Sequence, residues 1–255
     1  MASLGLSIIV PARDAGRHLR PAVQSALSAA GADAEVIVAD DDSTDGSLAS
    51  LGDLPVRVVA VKGRGEAAAR NSGVAAARGR MITFLDADDL LTSAGLAPRL
   101  ERLAAEPVLL AVGGLPTDLI SEDGAVLGEV FERMAARLSF PFELTADFYR
   151  RGGFFPVSCS LYVYRREVFD LLGGYDATLA AAPDADFHFR LLARAAVPVL
   201  RVPVFSRRLH GANMSMAAHS GARSFRPEVL SAIETVNRRH GLTPSEIVPW
   251  ESDYL

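Results

Sequence analysis

Apolar residues fall along the first ninety positions in short runs, separated by polar turns and by stretches of helical spacing. Leu6 to Val10 is an uninterrupted run rich in Ile and Val, the pattern of a strand buried on both faces of a parallel sheet, and Pro11 is expected to end it. Between His18 and Ala30, the residues Leu19, Val23, Ala26, Leu27 and Ala30 recur at intervals of three and four, which predicts a helix. Glu35 to Ala39 reads as a second strand, closed by the acidic turn from Asp40 to Ser47. Ser47 to Leu51 offers a short helix, Val56 to Val61 a third strand, the Ala-rich stretch Glu66 to Arg78 a helix, and Met81 to Leu85 a fourth strand cut off by Asp86. Strands alternating with helices imply an α/β fold on a mainly parallel, doubly wound sheet, whose ligands sit beyond the carboxyl ends of the strands.

The second half is less regular. It predicts a helix over Leu96 to Ala105, a strand over Val108 to Val112, a hairpin around Glu122-Asp123-Gly124 and a helix over Glu143 to Arg151. A strand over Ser160 to Tyr164 follows, then a short helix from Arg166 to Leu172 stopped by Gly173-Gly174, and another helix over Asp184 to Ala195. Val197 to Val204 returns as a strand, and Arg226 to His240 reads as a surface helix. With no internal repeat or low-complexity linker, residues 1–255 are expected to form one domain.

Composition narrows the class. At 49% hydrophobic and 22% charged residues the chain is neither disordered nor fibrous. Its formal net charge of −5 argues against a general nucleic-acid binder. A single cysteine, Cys159, rules out an internal disulfide and zinc-finger spacing, favours a reducing compartment and reads as a small core residue. The first ten residues lack the basic start and cleavage site of a secretory signal, and no run approaches the ~18 apolar residues that span a bilayer. A cytoplasmic location is therefore expected, with any contact at the inner membrane face peripheral.

Three polar clusters fall at strand ends. Pro11 to Asp14 and the triplet Asp40-Asp41-Asp42 end two strands that a parallel sheet places side by side. The triplet is read either as turn and cap residues or as acceptors for a nucleobase or ribose. Gly63 to Gly73 satisfies GxGxxA through Gly63, Gly65 and Ala68, but after the third strand rather than the first, so a dinucleotide-binding reading is weak. Arg70 in that segment is either a solvated surface group or a phosphate contact. Asp86, Asp88 and Asp89 end the strand MITFL, and their mutual repulsion calls for a cation or dedicated hydrogen bonds. A hard divalent ion, Mg²⁺ or Mn²⁺, binds one or two carboxylates together with substrate phosphate oxygens, which favours a metal and nucleotide role for Asp86 and Asp88. Asp89 is equally read as a helix cap.

These motifs resemble those of the family 2 glycosyltransferases with the GT-A fold. SIIVPARD looks like the family's opening strand, VADDDSTDGS its acidic turn, GEAAARNSGVAAARG its A-R-N helix and MITFLDADD its D-x-D strand. GGYDATLAAAPDADFHFRLL and RRLHGANMS are similar to its later GG-(F/Y)-D, E-D and R-x-H segments. The resemblance implies a nucleotide-sugar-binding half over about residues 1–113, an acceptor-binding half over about 114–216 and a helical tail over 217–255. It implies that Pro11, Arg13 and Asp41, with Asp14, surround the nucleobase end of a nucleotide-sugar donor, most simply a UDP-sugar. Asp86 would contact the ribose or sugar, Arg70 would lie near the nucleotide, Asp88 and His210 would hold Mn²⁺ or Mg²⁺, and Arg208 would meet the diphosphate. Asp184 would be the general base that activates a hydroxyl acceptor, saccharide, lipid-linked or small, for inverting displacement.

Two residues depart from the family pattern. Asp42 stands where a glycine is usual, and Pro183 replaces the glutamate before Asp184. Pro183 suits the first turn of a helix, Asp184 itself also reads as a helix cap, and Asp186 is a fallback base that two helical positions would aim elsewhere. A non-catalytic nucleotide-sugar-binding protein is the alternative raised by Pro183. A nucleotidyltransferase is the other, although it would want a basic phosphate loop near the first strand, where only Arg13 and Arg17 occur.

Overall fold

A computed structural model of the chain describes residues 5–151, 155–156, 158–211 and 227–241, the first four of the last segment by backbone alone. The first half runs β1 (Leu6–Ala12), α1 (Leu19–Ala29), β2 (Ala34–Asp40), β3 (Arg57–Ala60), α2 (Glu66–Ala76), β4 (Met81–Phe84), β5 (Leu90–Leu91) and α3 (Leu96–Ala105). The chain continues through β6 (Ala111–Leu115), β7 (Asp118–Ile120), β8 (Val126–Glu129), α4 (Phe131–Arg137), β9 (Phe142–Leu144) and α5 (Ala146–Arg150). It closes with β10 (Tyr162–Arg165), α6 (Glu167–Leu172), α7 (Pro183–Leu192), β11 (Val197–Pro203), β12 (Phe205–Arg208) and α8 (Pro227–Arg239).

Among the described residues, one eight-stranded sheet has the order β3-β2-β1-β4-β10-β6-β11-β9. β1 pairs in parallel with both β2 and β4, while β10 enters antiparallel between β4 and β6. The expected boundary near residue 113 therefore falls inside β6, and both halves build one sheet. Ile8, Ile9, Val10, Val36, Ile37, Val38, Ile82 and Phe84 are buried along its centre, as a parallel sheet covered on both faces demands. A second sheet, β5-β12-β7-β8, stands beside it. No described helix is long and apolar enough to cross a membrane.

Several elements differ from the pattern reading. β1 runs through Pro11, because Ile9 and Pro11 face β4 and that ladder ends at Ile9, where the Leu85 amide bonds the Ile9 carbonyl. The missing proline N–H leaves no bond unmade there. β6 begins three residues later than predicted, since Glu106 to Leu110 forms a turn held by the Arg165 guanidinium on the carbonyls of Leu103, Glu106 and Leu109. Gly113 and Gly114 lie inside β6 because Tyr162 and Val204 press on them, although a glycine pair reads locally as a turn. Thr145 splits the predicted Glu143–Arg151 helix: its hydroxyl caps Phe148 N at 3.1 Å, leaving β9 before it and α5 after. Cys159–Leu161 is a 3₁₀ turn rather than the start of a strand. Cys159 is buried, as is Phe155, whereas Phe154 and Trp250 lie outside the described residues.

The helix carrying Asp184, α7, is held from behind. Asp186 is buried and accepts from Arg190 at 2.8 Å, from Arg239 of α8 at 2.9 Å and from His240 at 3.0 Å. Asp186 is thus spent on fastening α8 to α7. The 3₁₀ turn Ser93–Gly95 before α3 packs so closely on the end of β11 that a Cβ on Gly95 would lie 1.9 Å from the Pro203 carbonyl oxygen. Gly95→Ala is expected to lower the unfolding free energy by about 1–3 kcal/mol, the cost of forcing backbone apart in a packed core. Urea denaturation checks this, and an unchanged midpoint contradicts the close approach.

Candidate active site

The acidic turns at the ends of β1 and β2 meet because Ala12 and Asp40 are paired in register and Asp41 N bonds the Ala12 carbonyl at 2.9 Å. Three adjacent aspartates are tolerated because they point three ways. Asp40 accepts from Ser43 N at 3.1 Å, and buried Asp41 turns inward to accept from Arg13 at 3.2 Å and from Gly65 N at 2.9 Å. Asp42 turns out to solvent with φ of 57°. That left-handed conformation is the one a glycine adopts freely and an aspartate more readily than most residues, which accounts for Asp42 in the usual glycine position. Asp14 lies in the same region at φ 45°, its carboxylate accepting from Thr44 N at 2.7 Å and Asp45 N at 3.2 Å. Asp45 in turn accepts from Gly16 N at 2.7 Å. Asp14 and Asp45 therefore lace the two turns together, and Asp41 with the half-exposed Arg13 faces the space between them.

The Gly-rich segment serves α2. Gly65, at φ 86°, ends the loop, and its amide is taken by Asp41 rather than left open for a pyrophosphate. Arg70 is neither solvated nor open to solvent as a phosphate contact: it is 1% exposed, and its Nη2 pairs with Glu66 and, at 3.1 Å, with Asp86. Its guanidinium also lies 5.5 Å over the Tyr175 ring. Burial pushes the Asp86 carboxyl up, and Arg70 opposes the shift.

Asp88 behaves differently. Burial works against its charge, yet a 2.9 Å hydrogen bond with His210 and the field of Arg207 hold it below the usual carboxylate range. His210 stacks on His18 with ring centroids 5.1 Å apart, and burial together with Arg208 presses the His18 pKa down. Asp89 is buried, accepts from Arg208 N at 2.8 Å and has its other oxygen 4.0 Å from Arg207. Burial and the neighbouring Asp88 charge raise it well above the usual range, so its role is structural. Arg208 donates from Nε to the Asp88 carbonyl at 2.9 Å and from Nη1 to the carbonyls of Ser121 and Glu122 at 3.1 and 2.9 Å. It ties the Asp88 strand end to the β7–β8 turn.

Asp184 sits in the first turn of α7, after Ala182 at φ 56° and with Pro183 opening the helix. Its carboxylate accepts from Ala185 N at 2.9 Å. Burial, and next the charge of Glu66, raise its pKa to about 6, with Arg70 opposing. Four residues on, His188 bonds the Asp184 carbonyl through Nδ1 and Tyr164 through Nε2, both at 2.8 Å. Burial lowers the His188 pKa to about 4, so at neutral pH the ring carries one proton. A carbonyl can only accept, which puts that proton on Nδ1 and makes the tyrosine hydroxyl the donor to Nε2. Asn71 links α2 to the approach of α7 with a pair of bonds to Tyr175 at 2.9 and 2.8 Å.

The structure thus joins Arg70, Asp86 and Asp184 in one electrostatic cluster, Asp88 with His210 in a second, and Pro11, Arg13, Asp14 and Asp41 in a third. Glu66 was not singled out by the sequence, Asn71 entered only as part of the A-R-N motif and His188 had no identifiable partner there, although the i,i+4 spacings of Glu66 to Arg70 and of Asp184 to His188 were there to be seen. Among the described residues, no group of three or more His, Cys, Asp or Glu is arranged to hold a metal ion. Asp88 and His210 supply two donors, a set that fits a hard divalent ion completing its shell with phosphate oxygens.

A model of the family described as glycosyl transferase family 2 matches residues 7–173. The succinoglycan biosynthesis protein ExoO of Rhizobium meliloti is 37% identical over 137 residues, covering 52% of this chain and 39% of that protein. The Escherichia coli protein WfaP, a UDP-Glc:alpha-D-GlcNAc-diphosphoundecaprenol beta-1,3-glucosyltransferase, is 31% identical over 110 residues, 42% of this chain and 44% of its own length. The chain therefore spans less than half the length of these two relatives. The crystal structure of S. aureus TarS 1-349 with UDP-GlcNAc superposes with a TM-score of 0.67 at 18% identity, over 95% of this chain and 68% of the other, and shares its fold. Because the family model matches well over half of its length, the chain belongs to glycosyl transferase family 2.

Proposed function

We propose that the protein is an inverting glycosyltransferase that moves a sugar from a UDP-sugar to a hydroxyl acceptor, with Asp184 as general base. The observation that carries the reading is the Asp184 carboxyl, raised to about 6 in a cluster with Arg70 and Asp86, where a base can work near neutral pH. The names of relatives support the donor class: WfaP is named for a UDP-Glc donor, and TarS was crystallised with UDP-GlcNAc. WfaP is also named for a diphosphoundecaprenol-linked acceptor, which goes with a cytoplasmic protein meeting the inner membrane face peripherally.

In this reading Pro11, Arg13 and Asp41 line the nucleobase pocket that Asp14 shapes, and Asp86, steadied by Arg70, meets the ribose or donor sugar. Ionised Asp184 takes the proton of the acceptor hydroxyl, and that oxygen attacks the anomeric carbon from the face opposite the diphosphate, so configuration inverts without a glycosyl-enzyme intermediate. Asp88 and His210 are the residues to hold Mg²⁺ or Mn²⁺, which when bound supplies positive charge to the departing diphosphate. Arg208 acts as a positioning residue for Asp88. His188 and Tyr164 keep the first turn of α7 aimed by holding the Asp184 carbonyl.

Nucleoside diphosphates at 100 times their Kd are expected to stabilise the protein by ~2.7 kcal/mol, most for UDP with Mn²⁺, and Asp88→Ala is expected to remove the metal-dependent part. Thermal shift across a nucleotide panel reads this, and no stabilisation by any member counts against the donor site. Asp184→Asn is expected to slow UDP release from UDP-sugars in the presence of saccharide acceptors by ~10²–10⁴-fold. In the unaltered protein the rate should rise with pH through about 6 as Asp184 ionises; the same limb surviving in Asp184→Asn would put the base elsewhere. Stability moves the opposite way. With its folded pKa raised, Asp184 favours folding below the ordinary carboxylate pKa and loses that contribution as pH climbs through about 6. Asp184→Asn should accordingly gain about 1–3 kcal/mol at pH 7, measured by denaturant titration.

A further inference from the structure

β12 ends at Arg208, and one further backbone bond, from Leu209 N to the Ile120 carbonyl at 2.8 Å, carries the chain to His210. From there the aim of the imidazole depends on what its side chain meets. Its edge meets Asp88, with Nε2 2.9 Å from Oδ2, and its face meets the ring of His18, the centroids 5.1 Å apart and the planes 23° from parallel. The hydrogen bond fixes where one ring atom lies, and the stacked neighbour fixes the plane of the ring.

His18 brings its ring from the other side of the site. It ends the 3₁₀ turn Gly16–His18 after β1, and the next residue, Leu19, is buried in the core as the first of α1. The His18 amide bonds the Ala15 carbonyl at 3.1 Å, and Gly16 N is held by Asp45 at 2.7 Å, so the turn is laced to the one that follows β2. Arg17 reaches Glu122 and Asp123, both at 3.0 Å, in the β7–β8 turn whose Ser121 and Glu122 carbonyls Arg208 holds. The segments after β1 and β12 therefore rest on one hairpin. Both Arg17 pairs lie in water, where ion pairs contribute little, so the ring contact, with the His210 side chain 11% exposed, is the packed part of the junction.

We propose that His18 is a positioning residue of the donor site: its ring, stacked on His210, holds that imidazole in the plane that keeps Nε2 beside Asp88, and so sets the affinity of the site for its divalent ion. The inference rests on Asp88 and His210 as the residues that hold the ion. His18 acts through its face rather than through a nitrogen, since among the described residues it does not complete with Asp88 and His210 a group of three arranged for a metal. Groups that orient a ligating histidine commonly govern metal affinity, and a stacked ring, which makes no hydrogen bond, belongs at the weaker end of that range. The turn that carries His18 is also the one that Asp14 and Asp45 lace to the end of β2, which makes the Asp88–His210 pair and the Arg13–Asp41 pair parts of one frame.

The test is a Mn²⁺ titration of the full chain at saturating UDP, with free ion read by electron paramagnetic resonance against a protein-free blank of Mn²⁺ and UDP. His18→Ala is expected to weaken Mn²⁺ binding by about 3–10-fold. His18→Phe, which keeps a flat ring and removes both nitrogens, should recover most of that loss, while His18→Leu, which fills the space without a flat face, should not. UDP binding without metal, measured by calorimetry, should be the same in all three variants as in the unaltered chain, because the bonds of Asp14 and Asp45 that shape the turn do not pass through the His18 ring. Mn²⁺ binding unchanged in His18→Ala overturns the proposal. So does His18→Phe as weak as His18→Ala, which would make a ring nitrogen the active part, and so does an equal fall in metal-free UDP binding, which would leave His18 a merely structural role. If His18→Ala fails to fold, His18→Leu against His18→Phe carries the same comparison. Asp88→Ala separates the underlying reading: Mn²⁺ held as tightly by that variant as by the unaltered chain would take the ion away from Asp88 and His210 and overturn both, whatever the His18 variants show.

Discussion

The buried guanidinium of Arg70 is the interaction on which the site depends. A parallel sheet that ends several strands in aspartates would repel itself open, because burial makes uncompensated charge far more costly than it is at the surface. Arg70 reaches into that cluster from α2, one helix turn after Glu66, and pairs with both Glu66 and Asp86. Its Nη2 meets both carboxylates while the planar guanidinium lies over the Tyr175 ring. Burial and the Glu66 charge raise the Asp184 carboxyl to about 6.

The turns after β1 and β2 are organised more by bonds to backbone amides than by charge pairing. Among the described residues the non-glycine positions with positive φ are Asp14, Asp42 and Ala182, and all three flank candidate site residues. Such conformations cost of order 1–2 kcal/mol each and persist only where surrounding bonds over-determine them. The lacing of Asp14 to Thr44 and Asp45 is that surrounding for the turn after β1. Pro183 and the Tyr164–His188–Asp184 chain serve the same end at the start of α7. The acidic residues therefore divide their duties: Asp14, Asp45, Asp89 and Asp186 build, while Asp41, Asp86, Asp88 and Asp184 are the candidate site residues.

Much of the first half was legible in the chain. Buried parallel strands announce themselves as unbroken Ile and Val runs, and helices as three-and-four spacing, so β1, β2, α1, α2 and β4 were predicted close to where they lie. The family motifs, read in order, placed the candidate donor residues at the ends of β1, β2 and β4, where the structure also has them. The second half was harder because its elements are short and tertiary contact overrides local preference: Gly113 and Gly114 sit in a strand because Tyr162 and Val204 need the room, and Thr145 breaks an apolar pattern that would otherwise read as one helix. The two-residue β5 and the short β12 carry too few residues to show any period.

What the sequence by itself determined is the set of chemical groups and the strand ends that present them, because both follow from local pattern. Which carboxylates would be paired, protonated or left to act was decided only by the tertiary structure. Arg70 became a buried counter-ion, Arg208 a brace on backbone carbonyls and Asp186 a clamp on the last helix, roles that depend on partners 16, 120 and 53 residues away in the chain. Charge compensation is a property of neighbours in space and of the water they exclude, and neither is written into any local stretch of sequence.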